Sequence, residues 1–214
     1  MIKSVIFDFD GVIANTEQKR FKDLQEILIK YNRHLTNSDF PNLIGRKTED
    51  FLKNRFPEMN KSLLQHIQDE RRSIQQQYTK SIPLIEGIQD LIMKLHDTYT
   101  LAITTGSSHT IVKTVLECNN LLKYFTVIVA GEDYAKSKSD IECYILTLKK
   151  LKIKPSEAII IEDSGAGITA GKSAGCKVFA LKNKYNGAQI THADRIFNNH
   201  KEISSYFKTQ LHSL

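Results

Sequence analysis

The stretch SVIFDFDGVIANTE, residues 4–17, determines how the rest of the chain is arranged. Residues 4–7 are apolar and β-branched enough for a strand that is buried on both faces. Asp8 and Asp10 follow this strand directly, and Gly11 then allows the backbone to turn sharply. If extended geometry persists, both carboxylates point to the same side. Ligands of open α/β sheets bind beyond the carboxyl ends of the strands, so we predict a site here.

Two carboxylates at the end of a buried strand are costly unless a cation or a reaction requires them. The alternative interpretation is a surface turn with two solvated acids. The apolar character of the strand favours the functional interpretation, because it places both acids at the edge of a buried sheet.

The composition is that of a globular protein, with 41% hydrophobic and 25% charged residues. The 214 residues allow one α/β core plus an insertion. No run approaches the roughly 18 apolar residues of a membrane span, and the chain enters its first strand without room for a signal peptide. The cysteines Cys118, Cys143 and Cys176 are odd in number and far apart, as in reduced core thiols. We therefore expect a cytoplasmic protein that does not bind membranes.

The net charge of +6 could attract a polyanion. No nucleic-acid motif accompanies it, so the charge is better explained by solvated helices or by steering of small anionic substrates. We expect a monomer that binds no nucleic acid.

Residues 14–82 interrupt the strand–helix alternation. Thr16 is placed to cap a helix over residues 17–31, and apolar spacing predicts further helices near 48–54 and 59–79. The intervening 32–47 segment has a looser pattern, and no strand candidate stands out. We predict an all-helical insertion over residues 14–82.

From residue 83 onward, predicted strands and helices alternate with short connections. The strands fall near residues 99–104, 125–130, 158–161, 177–181 and 195–197. This pattern predicts an α/β fold with a doubly wound parallel sheet, formed by residues 1–13 and 83–214.

Further polar groups follow the predicted strands, as a site at the carboxyl ends requires. Thr105, Gly106 and the following serines can form an anion site at a helix N-terminus. Glu162 and Asp163 follow the run AIII and suggest a hard cation such as Mg²⁺. Lys136 could neutralise a nucleophilic carboxylate and a phosphoryl group.

Four segments in this order resemble the motifs of the haloacid dehalogenase superfamily, in its phosphatase and β-phosphoglucomutase-like branch with a helical C1-type cap. They are DFDGVIANTE, the TGSS turn, the Lys136–Asp140 pair and IIIEDSGAGITAGKSAG. The family places a proline after its lysine and an aspartate four residues on. Here serines stand at the proline positions, so Lys138 competes with Lys136.

The resemblance implies that Asp8 is the nucleophile and Asp10 the general acid and base. Thr105, Gly106 and Lys136 would hold the phosphoryl group. The implied cofactor is Mg²⁺, held by Asp8, the main-chain carbonyl of Asp10 and Asp163. Glu162 would be a further ligand or would support one.

The resemblance also implies that residues 14–82 are a mobile cap that closes over the site. Its candidates for contact with the substrate are Arg20, Gly45, Arg46 and Lys47. The alternative for the charged ones is a solvated surface cation.

The implied activity is that of a Mg²⁺-dependent phosphatase of small phosphorylated metabolites, such as sugar phosphates. A phosphosugar mutase of the β-phosphoglucomutase type is the alternative. Those mutases place a histidine where this chain has Arg20 and an arginine where it has Thr48. A dehalogenase would leave Asp10 without a proton to deliver, and a binding protein without activity would not need both carboxylates.

Overall fold

The fold is built around the short strand β1 (Ser4–Phe7), which lies inside a fully parallel sheet. The computed structural model describes residues 1–44, 48–135 and 140–211. Phe7 lies opposite Ile103 on one neighbouring strand and Ile161 on the other. All four residues of β1 are buried, as the apolar run predicts for a central strand.

Six strands make up the sheet, in the order β3-β2-β1-β4-β5-β6. The other five are β2 (Thr100–Thr104), β3 (Phe125–Val129), β4 (Ala158–Glu162), β5 (Lys177–Leu181) and β6 (Arg195–Phe197). The predicted doubly wound parallel sheet is therefore confirmed. Strand order reverses on either side of β1, and this is where α/β sheets open a crevice for ligands.

Nine α-helices lie within the described residues. In chain order they are α1 (Glu17–Ile29), α2 (Phe40–Leu43), α3 (Thr48–Arg55), α4 (Lys61–Tyr78), α5 (Ile88–Leu95), α6 (His109–Cys118), α7 (Glu142–Leu151), α8 (Gly165–Ser173) and α9 (His200–Leu211). None of them is long and apolar enough to cross a bilayer.

Two hydrophobic clusters cover the two faces of the sheet. Val5 and Phe7 belong to one cluster, and Ile6 between them belongs to the other. This division follows the period of two along a strand. β1 is thus fixed from both sides, and the residues after it leave the sheet at a defined position.

Helices α1 to α4 share a third hydrophobic cluster of their own, which includes Leu24, Leu43, Leu52 and Ile67. As predicted, no strand occurs among the described residues between positions 16 and 82. The short helix α2 was not predicted, because its four residues FPNL are too few to show helical periodicity.

The chain enters and leaves this helical segment through paired backbone. The N–H of Asn15 donates to the carbonyl of Pro83 at 2.9 Å, and the N–H of Ile85 donates to that of Ile13 at 2.8 Å. Ala14 forms an antiparallel bridge with Leu84. The two connections therefore run side by side.

The three cysteines are free. Cys143 and Cys176 are buried, and burial raises the pKa of the Cys176 thiol to about 12. Cys118 is exposed, so the expectation of three core thiols is wrong for this residue. It is the last residue of α6, beyond the turns that face the sheet.

Candidate active site

The sequence-predicted acids and hydroxyls converge at the carboxyl ends of three adjacent strands. Asp8 follows β1, Thr105 follows β2, and Glu162 ends β4. Because these strands are parallel and in register, the residues that leave them emerge side by side.

Three buried carboxylates, those of Asp8, Glu162 and Asp163, form the centre of the site. Each offers an oxygen, and these oxygens lie within 4.8 Å of one another. A set of carboxylate oxygens suits a hard divalent cation such as Mg²⁺ better than a softer metal that prefers nitrogen or sulfur. The donor set therefore fits the predicted metal.

Glu162 fixes the turn that follows β4. Its Oε2 accepts the N–H groups of Asp163 and Ser164, both at 2.7 Å, and the Tyr144 hydroxyl lies 3.4 Å from Oε1. A Cβ at Gly167 would lie 1.7 Å from Oε1, so only glycine fits against this carboxylate. Both oxygens of Glu162 thus contact protein groups that hold it against the start of α8.

Asp163 is held from two sides. Its Oδ2 accepts a hydrogen bond of 3.2 Å from Nδ2 of Asn183, and its main-chain oxygen accepts one of 2.7 Å from Asn186. A Cβ at Gly11 would lie 2.1 Å from Asp163 Oδ2. Gly11 has φ +83°, as the sharp turn after Asp10 predicts. The close approach between the two loops therefore requires glycine.

Asp10 has a different environment, made of hydroxyl groups. Thr16 donates to Oδ1 at 2.5 Å, and Oδ2 accepts from Thr105 at 3.0 Å and from Ser107 at 2.8 Å. Hydrogen bonds to both of its oxygens fix the orientation of the Asp10 carboxyl group. Asp8 lies in the carboxylate centre and Asp10 beside it, among donors.

Thr16 corrects one expectation. It stands at the N-cap position of α1, but its side chain makes no capping hydrogen bond. The hydroxyl bonds Asp10 instead, because α1 begins directly above the turn that carries this acid. The sequence predicts that Thr16 caps a helix, whereas in the structure its side chain contacts Asp10 in the site.

The turn after β2 is firmly held. The Thr105 hydroxyl accepts the N–H of Ser107 at 3.0 Å, and the Tyr134 hydroxyl donates to the Thr105 carbonyl at 3.0 Å. Gly106 is exposed between them. Thr105 and Gly106 therefore lie at the predicted edge of the sheet, with the Thr105 hydroxyl directed at Asp10.

On the helical segment, Arg20 lies one turn from Thr16. Its Nη2 donates to the carbonyl of Leu43 at 3.0 Å and lies 2.5 Å from a carboxylate oxygen of Glu17. Arg20 is thus tied to its own segment and is not a freely solvated cation.

Arg71 on α4 is a second cation here that sequence reasoning missed. Burial, and next to it the charge of Arg20, lower the pKa of Arg71, while the charge of Asp10 acts in the opposite direction. The guanidinium therefore lies within electrostatic range of the site. Arg71 is one of two adjacent arginines in a helix rich in polar residues, and nothing in the local sequence separates it from a solvated cation.

Several predicted residues lie outside the described part of the chain. They are Lys136, its competitor Lys138, and the segment Gly45, Arg46 and Lys47. Their roles stay predictions.

Sequence reasoning also missed Asn183. It follows β5, the neighbour of β4, at the same edge of the sheet as the other site residues. Like the acids, Asn183 follows a strand of the parallel sheet, but the loop-like composition of residues 182–193 carries no local signal that singles it out.

The comparisons with known proteins agree with this geometry. The model of the haloacid dehalogenase-like hydrolases matches residues 5–181. The YhcW protein of Bacillus subtilis is 30% identical over 196 residues, which cover 87% of this chain and 86% of YhcW. A phosphorylated carbohydrates phosphatase of Thermotoga maritima is 25% identical over 191 residues, covering 86% of this chain and 88% of that protein.

A solved structure shares the fold at lower identity. CbbY from Rhodobacter sphaeroides, in complex with phosphate, superimposes with a TM-score of 0.83 at 23% identity. The match covers 95% of this chain and 96% of CbbY. With a family model that spans most of its length and a relative at 30% identity, the chain belongs to the haloacid dehalogenase-like hydrolase family.

Proposed function

We propose that this hydrolase is a Mg²⁺-dependent phosphatase of small phosphorylated metabolites that works through an aspartyl-phosphate on Asp8. The enzyme is a phosphatase by its family and by relatives such as the phosphorylated carbohydrates phosphatase. That relative also supports sugar phosphates as the substrate class. The observation that carries the mechanism is the different surroundings of Asp8 and Asp10.

Asp8 and Asp163 both lie in the carboxylate centre, so these two carboxylates, with the main-chain carbonyl of Asp10, would hold Mg²⁺. Glu162 would keep Asp163 in place through the turn after β4. Bound Mg²⁺ would neutralise the clustered carboxylates and the charge of the substrate phosphate.

Asp8 would attack phosphorus in line. A bond forms between its carboxylate oxygen and phosphorus as the bond from phosphorus to the ester oxygen breaks. Asp10 would give its proton to the leaving alcohol. Water then attacks the aspartyl-phosphate, Asp10 takes a proton from it, and the bond between Asp8 and phosphorus breaks to release phosphate.

The hydroxyls around Asp10 would keep it oriented through both steps. Thr105 and Ser107 donate to Asp10 Oδ2, and both lie on the turn proposed to bind the phosphoryl oxygens. Lys136 is proposed to add a positive charge at the same place. Thr16 keeps Asp10 oriented through its other oxygen.

We propose that residues 14–82 act as the cap over a core formed by residues 1–13 and 83–214. The separate hydrophobic cluster of α1 to α4 and the paired connections support this division. Arg20 and Arg71 are proposed to contribute positive charge from the cap, and Arg20, Gly45, Arg46 and Lys47 stay candidates for contact with the substrate. We expect a cytoplasmic monomer whose partners are small molecules, without nucleic acid or membrane binding.

The central test replaces the nucleophile. Asp8→Asn should leave the fold intact and remove phosphate release from a panel of phosphate esters, because an amide is a poor nucleophile. Asp10→Asn should also be inactive in turnover, but it could accumulate phosphorylated Asp8 from an ester with a good leaving group, detectable by intact-protein mass spectrometry. More than trace turnover by Asp8→Asn would refute the covalent mechanism.

Removal of the metal is a second test. EDTA should abolish activity and added Mg²⁺ should restore it, while Ca²⁺, with looser coordination, should restore little. Full activity in metal-free buffer would refute the Mg²⁺ requirement.

The mutase alternative has its own test. β-Glucose 1-phosphate is supplied with a trace of the 1,6-bisphosphate, and glucose 6-phosphate and free phosphate are both followed. Phosphate release from a small ester without catalytic isomerisation supports the phosphatase. Many turnovers to glucose 6-phosphate with little free phosphate would establish the mutase instead.

A further inference from the structure

The loop that follows β5, residues 182–186, is braced by its own asparagines, and we refer to it as the asparagine loop. The Asn183 N–H donates to Oδ1 of Asn186 at 2.8 Å. In return, Oδ1 of Asn183 accepts the N–H groups of Tyr185 at 2.8 Å and of Asn186 at 3.1 Å. Reciprocal bonds of this kind fix a short loop in one conformation.

One side of the asparagine loop holds Asp163. Nδ2 of Asn183 donates to Asp163 Oδ2 at 3.2 Å. The fully buried Asn186 uses its Nδ2 to bond the carbonyls of Asp163 at 2.7 Å and Leu181 at 2.9 Å. Both the carboxylate and the backbone of Asp163 therefore depend on this loop.

The other side of the loop contacts the helical segment. The rings of Tyr185 and Phe40, the first residue of α2, meet edge to face with centroids 4.7 Å apart. Phe40 in turn packs on Phe21 of α1 at 5.1 Å. Tyr185 thus packs against the hydrophobic cluster of α1 to α4, although it belongs to the other part of the chain.

A single side-chain amide connects the two sides. The oxygen of the Asn183 amide accepts the backbone N–H of Tyr185, and its nitrogen donates to Asp163. Any displacement of Tyr185 that follows a movement of Phe40 would act on the group that orients Asp163. The amide is planar, so its two ends move together.

We propose that Asn183 and Tyr185 are positioning residues. They couple the packing of α2 against the asparagine loop, through the contact of Phe40 with Tyr185, to Mg²⁺ binding at Asp163. This inference rests on the proposed function, in which Asp163 holds Mg²⁺. Coupling between two sites is reciprocal. Mg²⁺ should bind more tightly when α2 is packed against the asparagine loop, and bound Mg²⁺ should stabilise this packing.

The first measurement is Mg²⁺ affinity without substrate, by isothermal titration calorimetry. Asn183→Ala removes a direct contact to Asp163 and should weaken Mg²⁺ binding by about 10–100-fold. Tyr185→Ala and Phe40→Leu change side chains that take no part in the hydrogen bonds of Asn183 and Asp163, yet each should weaken Mg²⁺ binding by about 5-fold or more. Phe40→Leu retains an apolar side chain in the hydrophobic cluster of α1 to α4, so its Mg²⁺ affinity still tests the coupling if Tyr185→Ala does not fold.

Two variants serve as matched controls. Tyr185→Phe keeps the ring that meets Phe40 and should bind Mg²⁺ as the wild type does. Lys182→Ala changes an exposed side chain of the same loop, and the backbone N–H of residue 182 keeps its hydrogen bond to the Phe197 carbonyl. This variant should also bind Mg²⁺ as the wild type does.

The second measurement is hydrogen exchange of α2. Mg²⁺ should slow exchange over Phe40–Leu43 in the wild type, and this effect should disappear in Asn183→Ala. Unchanged Mg²⁺ affinity in Tyr185→Ala and Phe40→Leu, with weaker binding in Asn183→Ala, would overturn the coupling and leave the proposed function standing. Absence of Mg²⁺ binding by the wild type would refute both.

Discussion

The hydroxyl of Thr16 lies 2.5 Å from Oδ1 of Asp10 and donates a hydrogen bond to it. Thr16 immediately precedes α1, so the proposed general acid is bonded by the residue at the start of the first helix of the helical segment. The orientation of this acid therefore depends on where α1 begins.

Thr16→Val should lower kcat by up to about 10-fold, because it removes a hydrogen bond that orients the proposed general acid, and such a bond is worth about 0.5–1.5 kcal/mol. Thr16 is buried, and valine has nearly the same shape, so the fold should be retained. The measurement is steady-state kinetics with a phosphate ester, and Thr209→Val on the exposed face of α9 serves as the control. Wild-type kcat in Thr16→Val would show that Thr105 and Ser107 suffice to orient Asp10.

Gly11→Ala should disable the site more than it destabilises the protein. The new Cβ would lie 2.1 Å from Asp163 Oδ2, and φ +83° is unfavourable for alanine. We expect weaker Mg²⁺ binding and near-complete loss of turnover, with a loss of stability of about 1 kcal/mol or more. Calorimetric titration and urea unfolding measure the two effects.

Gly187→Ala is the matched control for this variant, because its Cβ would meet nothing within 4 Å. It should behave as the wild type in both measurements. If Gly11→Ala binds Mg²⁺ normally, Asp163 can move aside without loss, and the close contact is not needed for metal binding.

Lys136→Ala should reduce turnover far more than Lys138→Ala. Loss of one charge-stabilising donor in an active site costs about 10²–10³ in rate. Tyr134, bonded to the Thr105 carbonyl, and Asp140, whose Oδ1 accepts the N–H of Glu142 at 3.0 Å, flank this segment. Paired kinetics of the two variants check the ranking, and the reverse order would assign the role to Lys138.

His200 should make stability depend on pH. Burial lowers the pKa of His200 below its usual 6.5, and Nδ1 lies 2.9 Å from the carbonyl oxygen of Glu86, which a neutral imidazole can bond as a donor. The folded state therefore takes up this proton at lower pH than the unfolded state does. The stability that depends on neutral His200 is complete above about 6.5, decreases as the pH falls, and is gone below the folded pKa.

Urea unfolding at pH 7.5 and pH 5.5 tests this prediction. The wild type should lose more unfolding free energy between the two pH values than His200→Gln does. Replacement of the exposed His34 by glutamine should retain the wild-type dependence. Equal pH dependence in the wild type and His200→Gln would contradict the assignment.

The sequence was most informative about the residues that follow the strands of the parallel sheet. Strands buried on both faces are recognisable from their apolar runs, and parallel strands expose their carboxyl ends at one edge. Asp8, Thr105 and Asp163 could therefore be grouped from the order of strands and polar residues alone. Three of the segments that resemble the family, DFDGVIANTE, the TGSS turn and IIIEDSGAGITAGKSAG, lie at these same strand ends.

Contacts between separate parts of the chain could not be predicted in this way. The bond from Thr16 to Asp10 and the packing of Tyr185 on Phe40 depend on how the helical segment sits on the core. The electrostatic environment of Arg71, which includes Arg20 and Asp10, likewise arises from residues distant in sequence. In the local sequence, Thr16 resembles an ordinary helix cap, Tyr185 an ordinary aromatic residue of a loop, and Arg71 an ordinary surface cation.

The side-by-side connections at Asn15–Pro83 and Ile13–Ile85 have an evolutionary consequence. Because both ends of the helical segment join the core at one point, a segment of different length or sequence could be exchanged there without altering the register of the sheet. If the helical segment acts as the proposed cap, such an exchange would change which molecules reach the acids while the acids themselves stay in place. A protein with this junction could thus acquire a new substrate specificity by replacement of the helical segment alone.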